Sequence, residues 1–174
     1  MSQWVPPSAD FLADCQRSAV HLEMRDVYGV ADEDADFAVW KAGHRHDPDD
    51  RESWWTPFLA LVSDAVARGV EFRRARVASE PVSDCIRFEH SCTFQNIAAG
   101  EAVRWLPRWL TSDLLLPGND LWIFDDQVVR FGLFSGDGAF RANVMESDPA
   151  TAKRCADAFE AVWERAIPYG NYRV

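Results

Sequence analysis

The sequence predicts an α/β domain, a mixed β-sheet with helices packed on it, and three observations carry that prediction. Segments with apolar residues at helical spacing take turns along the chain with segments that alternate in polarity. Two helix starts, Thr56-Pro57 and Asp148-Pro149, join a capping side chain to a proline at the first helical position. The length of 174 residues, with 48% hydrophobic and 26% charged, suits one globular domain with one sizeable core.

The elements follow in order. A helix opening on a Ser8 cap places Phe11, Leu12, Cys15 and Ala19 at helical spacing. A strand over 21–28 sets Leu22, Met24, Asp26 and Tyr28 against His21, Glu23, Arg25 and Val27. Residues 29–53 hold an acidic stretch with Asp32, Glu33, Asp34 and Asp36, a Phe37/Trp40 pair, and a polar loop over 43–52. Thr56 caps a helix whose stripe of Phe58, Leu61, Val62, Ala65 and Val66 ends before Gly69. The strand over 70–78 has no clean face, because Phe72 shares one side with Arg74 and Arg76, and Ala75 and Val77 share the other with Glu71 and Arg73. Ser83 caps a third helix through Ile86, Phe88, Cys92 and Ile97 to the Ala99-Gly100 turn. A short strand over 102–106 then has Val103 and Trp105 opposite Arg104. Strands over 121–124 and 128–134 form a hairpin about Asp125-Asp126-Gln127, and the last helix turns Cys155, Phe159, Val162, Trp163, Ala166 and Ile167 inward. No linker separates two domains, so residues 1–174 are read as a single domain.

Composition narrows the function classes. A formal net charge of −10 and a pI near 4.8 repel polyphosphates and anionic lipid, so neither direct nucleic-acid contact nor membrane binding is expected. No leader opens the chain and no apolar run approaches the ~18 residues of a membrane span, which reads as cytoplasmic. Cys15, Cys85, Cys92 and Cys155 are too far apart for a CxxC pair or a zinc knuckle, so reduced thiols are expected. Eight Trp and eleven Phe are enough to fill a core and also anchor an interface.

Arginine marks the strands. Arg25, Arg74 with Arg76, Arg104 and Arg130 fall near the middle of four strands, each with apolar neighbours pointing the other way, and they converge if those strands are adjacent. The readings stand side by side: the solvated side of an antiparallel sheet, a face laced by Glu23, Asp84 and Glu89 as ion pairs, or a pocket for an anionic group.

Other chemistry is less complete. His44 and His46 with Asp47 have no third partner at a metal-binding spacing, and neither metal nor other cofactor is expected. His90 beside Glu89 fits a general base held by a carboxylate, or a packed histidine. Ser112 and Ser135 lack the GxSxG elbow, Gly136-Asp137-Gly138 is too short for a phosphate loop, and Asp125-Asp126 is a turn pair.

Several runs act as a set: Arg73-Arg74-Ala75-Arg76-Val77, Ser79-Glu80-Pro81-Val82-Ser83-Asp84, Gly100-Glu101, Val103-Arg104-Trp105-Leu106-Pro107, Leu116-Pro117-Gly118-Asn119-Asp120, Phe134-Ser135-Gly136-Asp137-Gly138 and Ala161-Val162-Trp163-Glu164-Arg165-Ala166. With His21-Leu22-Glu23-Met24-Arg25-Asp26 and Tyr28 they resemble, over nearly the whole chain, an uncharacterised actinobacterial family (DUF6879-like). Its members look like companions of XRE-type helix-turn-helix regulators, which implies a regulator protein as partner. The hairpin followed by the last helix is similar to a phospholipase D-like half-domain, and that likeness implies a homodimer. Enzymes of that class need His-x-Lys followed four residues later by Asp, whereas Lys41 and Lys153 follow no histidine at that spacing, so phosphodiester hydrolysis by that route is not expected.

The resulting expectation is a non-enzymatic accessory or effector-sensing protein, acting through the regulator, a small anionic ligand, or both. Arg74, Arg76, Arg104 and Arg130 are the expected ligand contacts, oriented by Glu80, Asp84 and Glu101. One alternative is a hydrolase or nucleotide-processing enzyme using His21 or His90 with Glu23 or Glu89. Another is a structural dimer subunit with an exposed aromatic patch at Trp54, Trp55 or Trp109.

Overall fold

A computed structural model of the chain describes residues 8–29 and 31–174. The helices are α1 (Ser8–Asp14), α2 (Ala31–Lys41), α3 (Pro57–Ala67), α4 (Asp84–Ala99) and α5 (Pro149–Arg165). The strands are β1 (Ser18–Glu23), β2 (Glu71–Ala78), β3 (Ala102–Pro107), β4 (Asp120–Phe124), β5 (Val128–Phe134), β6 (Phe140–Glu146) and β7 (Ile167–Pro168).

These strands form one mixed sheet in the order β6-β5-β4-β1-β2-β3-β7. β1, β2 and β3 are parallel, and β4 to β6 continue antiparallel from β1. After β3 the chain returns to the far side of β1 to begin β4, so the direction of winding reverses between β1 and β4. Sheets of this kind open a crevice at such a reversal, beyond the carboxyl ends of the parallel strands.

Each face has its own cover. α5 lays Cys155, Phe159 and Val162 on Val20, Leu22, Ala75, Val77, Leu121, Ile123 and Val129. On the other face α1 and α3 press Leu12, Leu59 and Val62 against Ala19, Phe72 and Phe124, and α4 presses Ile86 against Val103 and Trp105. β2 lies between the two layers, so both of its faces are buried and its alternation is lost.

The caps at Thr56, Ser83 and Asp148 form as the sequence predicts, each side chain accepting from the backbone N–H three residues on. The side chain of Ser8 and residues 1–7 lie outside those described. Other boundaries differ. The strand expected over 21–28 runs from Ser18 to Glu23, and Ala19 belongs to it, not to the first helix. It stops there because the Met24 N–H donates to Asp120 Oδ1 at 2.9 Å, outside any ladder, while Asp26 turns to the backbone and hydroxyl of Ser79. α2 forms where only an acidic stretch was read, held by Phe37 and Trp40 against Phe88 of α4. β6 and β7 were not foreseen, and Ile167 lies in β7 because α5 stops at Arg165. Ile97 is exposed on α4.

Candidate functional site

Register assembles the site. On the face that α1, α3 and α4 cover in part, His21 lies beside Arg74 on one side and Trp122 on the other, and Trp122 lies beside Arg130. One step toward the carboxyl ends, Glu23 lies beside Arg76. A cleft of about 530 Å³ opens over these residues, walled by Tyr28, Phe58, Phe134 and Phe140, with Asp120, Gly132 and Asn143 at its far side.

Two of its guanidinium groups are already neutralised. Arg74 Nε and Nη2 donate to the two oxygens of Glu101 at 2.7 and 3.1 Å, and Nη1 donates to Glu23 Oε2 at 3.1 Å. Arg76 Nε lies 3.0 Å from the same Glu23 oxygen, and its Nη2 lies 2.8 Å from Glu89 Oε2. Glu101 is fully enclosed and also accepts from Asn96 Nδ2. Burial alone would raise the Glu23 carboxyl, but Arg76 and Arg74 outweigh it and hold the group below the usual carboxylate range. Burial opposes the charge on Arg74 too, and Glu101 and Glu23 overcome it.

His21 is held neutral. Burial lowers its pKa well below the ordinary value; Glu23 opposes this, and Arg74, Arg76 and Arg130 add to it. Its ring stacks on Trp122 at 3.9 Å between centroids. The 3.9 Å approach of Nδ1 to Glu23 is therefore not an ion pair, and it is too long for a hydrogen bond.

Asp120 accepts from the Met24 N–H and, at 2.7 Å, from the Tyr28 hydroxyl. Burial raises its pKa to about 6; the Tyr28 bond resists and the nearby Glu23 charge assists. Arg130 differs from its neighbours. It is half-buried, burial alone lowers its pKa, and among the described residues it has neither hydrogen bond nor carboxylate partner. Arg76 Nη1 is likewise buried without a partner.

The arginines foreseen as one surface are divided. Arg74, Arg76 and Arg130 come together, and the first two are buried in ion pairs with Glu23 and Glu89, as one reading expected, while the third expected partner, Asp84, takes no part. Arg104 is on the opposite face, because it sits in register with Ala75; it donates to the Trp163 carbonyl at 3.0 Å and stacks over that ring. Arg25 lies past the end of β1, donating to the Ser135 carbonyl over Phe134. Of the orienting carboxylates, Glu101 meets Arg74, Glu80 accepts from the Tyr172 hydroxyl, and Asp84 is exposed at the start of α4.

The other candidates disperse. His90 packs against Trp105, Tyr169 and Tyr172, while its neighbour Glu89 turns to Arg76. His44 and His46 touch edge to face, and no three His, Cys, Asp or Glu converge as a metal site among the described residues. Trp54 is buried and Trp109 exposed, so they form no common patch. Among the described residues no helix is long and apolar enough to cross a membrane. Sequence reading missed Asp120, Trp122 and Asn143. The first two were within reach, since the alternation of 121–124 extended back by one residue puts Asp120 and Trp122 on the side opposite Leu121 and Ile123.

The model of the family described as "Domain of unknown function (DUF6879)" matches residues 8–174. No curated protein matches the chain. Among the solved structures that resemble it are two with a similar fold. TrmBL2, described as an archaeal chromatin protein with a novel mode of DNA binding, has a TM-score of 0.50 and 15% identity over 91% of this chain; the chain spans only 48% of TrmBL2. NucT from Helicobacter pylori has a TM-score of 0.50 and 11% identity over 92% of this chain and 87% of its own. Identities this low carry the fold alone, an α/β fold compatible with that of a phospholipase D-like half-domain.

Proposed function

The chain belongs to the DUF6879 family, and from that premise we propose that it is a non-enzymatic, effector-sensing accessory protein whose cleft takes a small anionic ligand and whose partner is an XRE-type helix-turn-helix regulator. The observation that carries the ligand is Arg130, a half-buried guanidinium without a counter-ion among the described residues, in a walled cleft at the sheet's winding reversal. The regulator enters through the family resemblance of the sequence.

The geometry favours binding over acid–base chemistry. A hydrolase or nucleotide-processing enzyme would need a histidine free to trade a proton with a carboxylate. Here His21 is stacked and neutral, and the nearby Glu23 is held by two arginines. TrmBL2 is described as binding DNA, but a net charge of −10 opposes that role for this chain, and the proposal leaves DNA contact to the regulator. Cytoplasmic location and pairing of two copies belong to the same proposal.

Co-purification with a co-expressed XRE-type helix-turn-helix regulator from the same genome, with and without metabolite extract, tests the reading. A complex that forms or dissolves on adding extract is the expected result. Absence of any complex under both conditions overturns it.

A further inference from the structure

We infer that the cleft takes an aromatic carboxylate, a ring bearing one negative charge, with Arg130 as its counter-ion; the inference rests on reading this cleft as a ligand site. Charge selects one anionic group. Arg74, Arg76 and Arg130 face Glu23, Glu89 and Glu101, and those three carboxylates engage only Arg74 and Arg76. The three carboxylates match the three arginines in number, so no net positive charge is left over, and Arg130 holds a single anionic group by direct contact alone. A second charge on the ligand would meet Glu23, Glu89 and Asp120 with no free cation among the described residues lining the cleft. That balance disfavours a phosphate dianion.

Donors are ready for a carboxylate. Arg130 offers its unpaired guanidinium, and Arg76, whose side chain is only 6% exposed, holds Nη1 without a partner. The Asn143 amide also lines the space.

Shape selects the ring. Phe58, Trp122, Phe134 and Phe140 wall the cleft, and about 530 Å³ is room for an organic molecule, far more than an inorganic anion fills. Gly132 helps keep it open. A Cβ there would lie 3.2 Å from Cε2 of Phe134, tight against a ring that walls the cleft, so a larger side chain at this position would crowd the space.

Isothermal titration calorimetry of the full chain tests this with 1-naphthoate, cyclohexanecarboxylate, inorganic phosphate and adenosine monophosphate. Naphthoate is expected to bind at least about tenfold more tightly than the other three. Arg130→Met should weaken it by about tenfold or more, the scale of a lost charge-assisted hydrogen bond. Gly132→Val should weaken it by obstruction, and Arg104→Met, on the opposite face, should leave it unchanged. Urea unfolding checks that each variant folds; should Arg130→Met fail, Arg130→Lys keeps the charge, loses the fork and should still bind more weakly.

Preference for phosphate or the nucleotide, lost in Arg130→Met, overturns the carboxylate class while the anion site stands. Naphthoate binding indifferent to Arg130, or no binding by any probe, overturns the inference. The wider reading is then decided separately by the regulator co-purification.

Discussion

Glu101 follows the glycine that ends α4, and its enclosed carboxylate answers Arg74 on both oxygens. Removing Glu101 takes away the bidentate partner of Arg74 and leaves it only Glu23, which it shares with Arg76, so Glu101→Leu should lower stability by about 3 kcal/mol in urea titration. Arg74→Met added to Glu101→Leu should recover part of that loss, because Glu23 keeps Arg76 and no buried charge is left alone. Asp120 has the opposite character. Its folded pKa of about 6 lies above the ordinary value of 3.8, so the fold favours the protonated form, and stability is lost as pH rises from the unfolded value through about 6. Asp120→Asn abolishes that titration. The melting temperature of the variant relative to the parent should therefore rise between about pH 5 and pH 8, by the equivalent of roughly 1 kcal/mol. A difference that stays flat across that range would place the titration elsewhere. Sequence showed that these strands carry charge, but pairing depends on register, and register brought Arg74 to Glu101 while sending Arg104 to the other face.

Among elements, α4 is the most fully specified. Ser83 accepts from the Ile86 N–H at its start, and Gly100 closes its end at φ 101°. A Cβ on Gly100 would lie 2.9 Å from Val66 Cγ1 of α3, so alanine there adds a steric clash to the left-handed penalty. Gly100→Ala should cost about 1–2 kcal/mol from the backbone alone, read as a lower urea midpoint with unchanged slope. Such punctuation made α3, α4 and α5 legible: a cap, a proline or glycine, and a stripe between. The missing elements lack it. α2 is acidic with its inward rings confined to Phe37 and Trp40, β6 is an edge strand whose mixture of exposed positions shows no alternation, and β7 spans two residues. β1 failed differently, since alternation ran on past Glu23 after the hydrogen bonding had left the sheet.

At the scale of the whole molecule, charge bears on the proposed regulatory role. Its net charge of −10 coexists with a local cluster of arginines, but Arg74 and Arg76 spend theirs on buried carboxylates, and Arg130 lies within a cleft. Contact with a DNA backbone releases condensed counterions, and the salt dependence of binding counts the phosphates neutralised, with a slope of about −0.9 per contact. A chain that controls a regulator without touching DNA should change the affinity of the complex but leave that slope as it is for the regulator alone. Fluorescence anisotropy with operator DNA over a range of salt, with and without this protein, reads both quantities. A slope steeper by one contact or more in its presence would mean that its exposed arginines, such as Arg17 or Arg141, reach phosphate, and would overturn the proposal that it leaves DNA to the regulator. An altered affinity at constant slope is the outcome expected of a protein whose net charge of −10 keeps it from the DNA backbone.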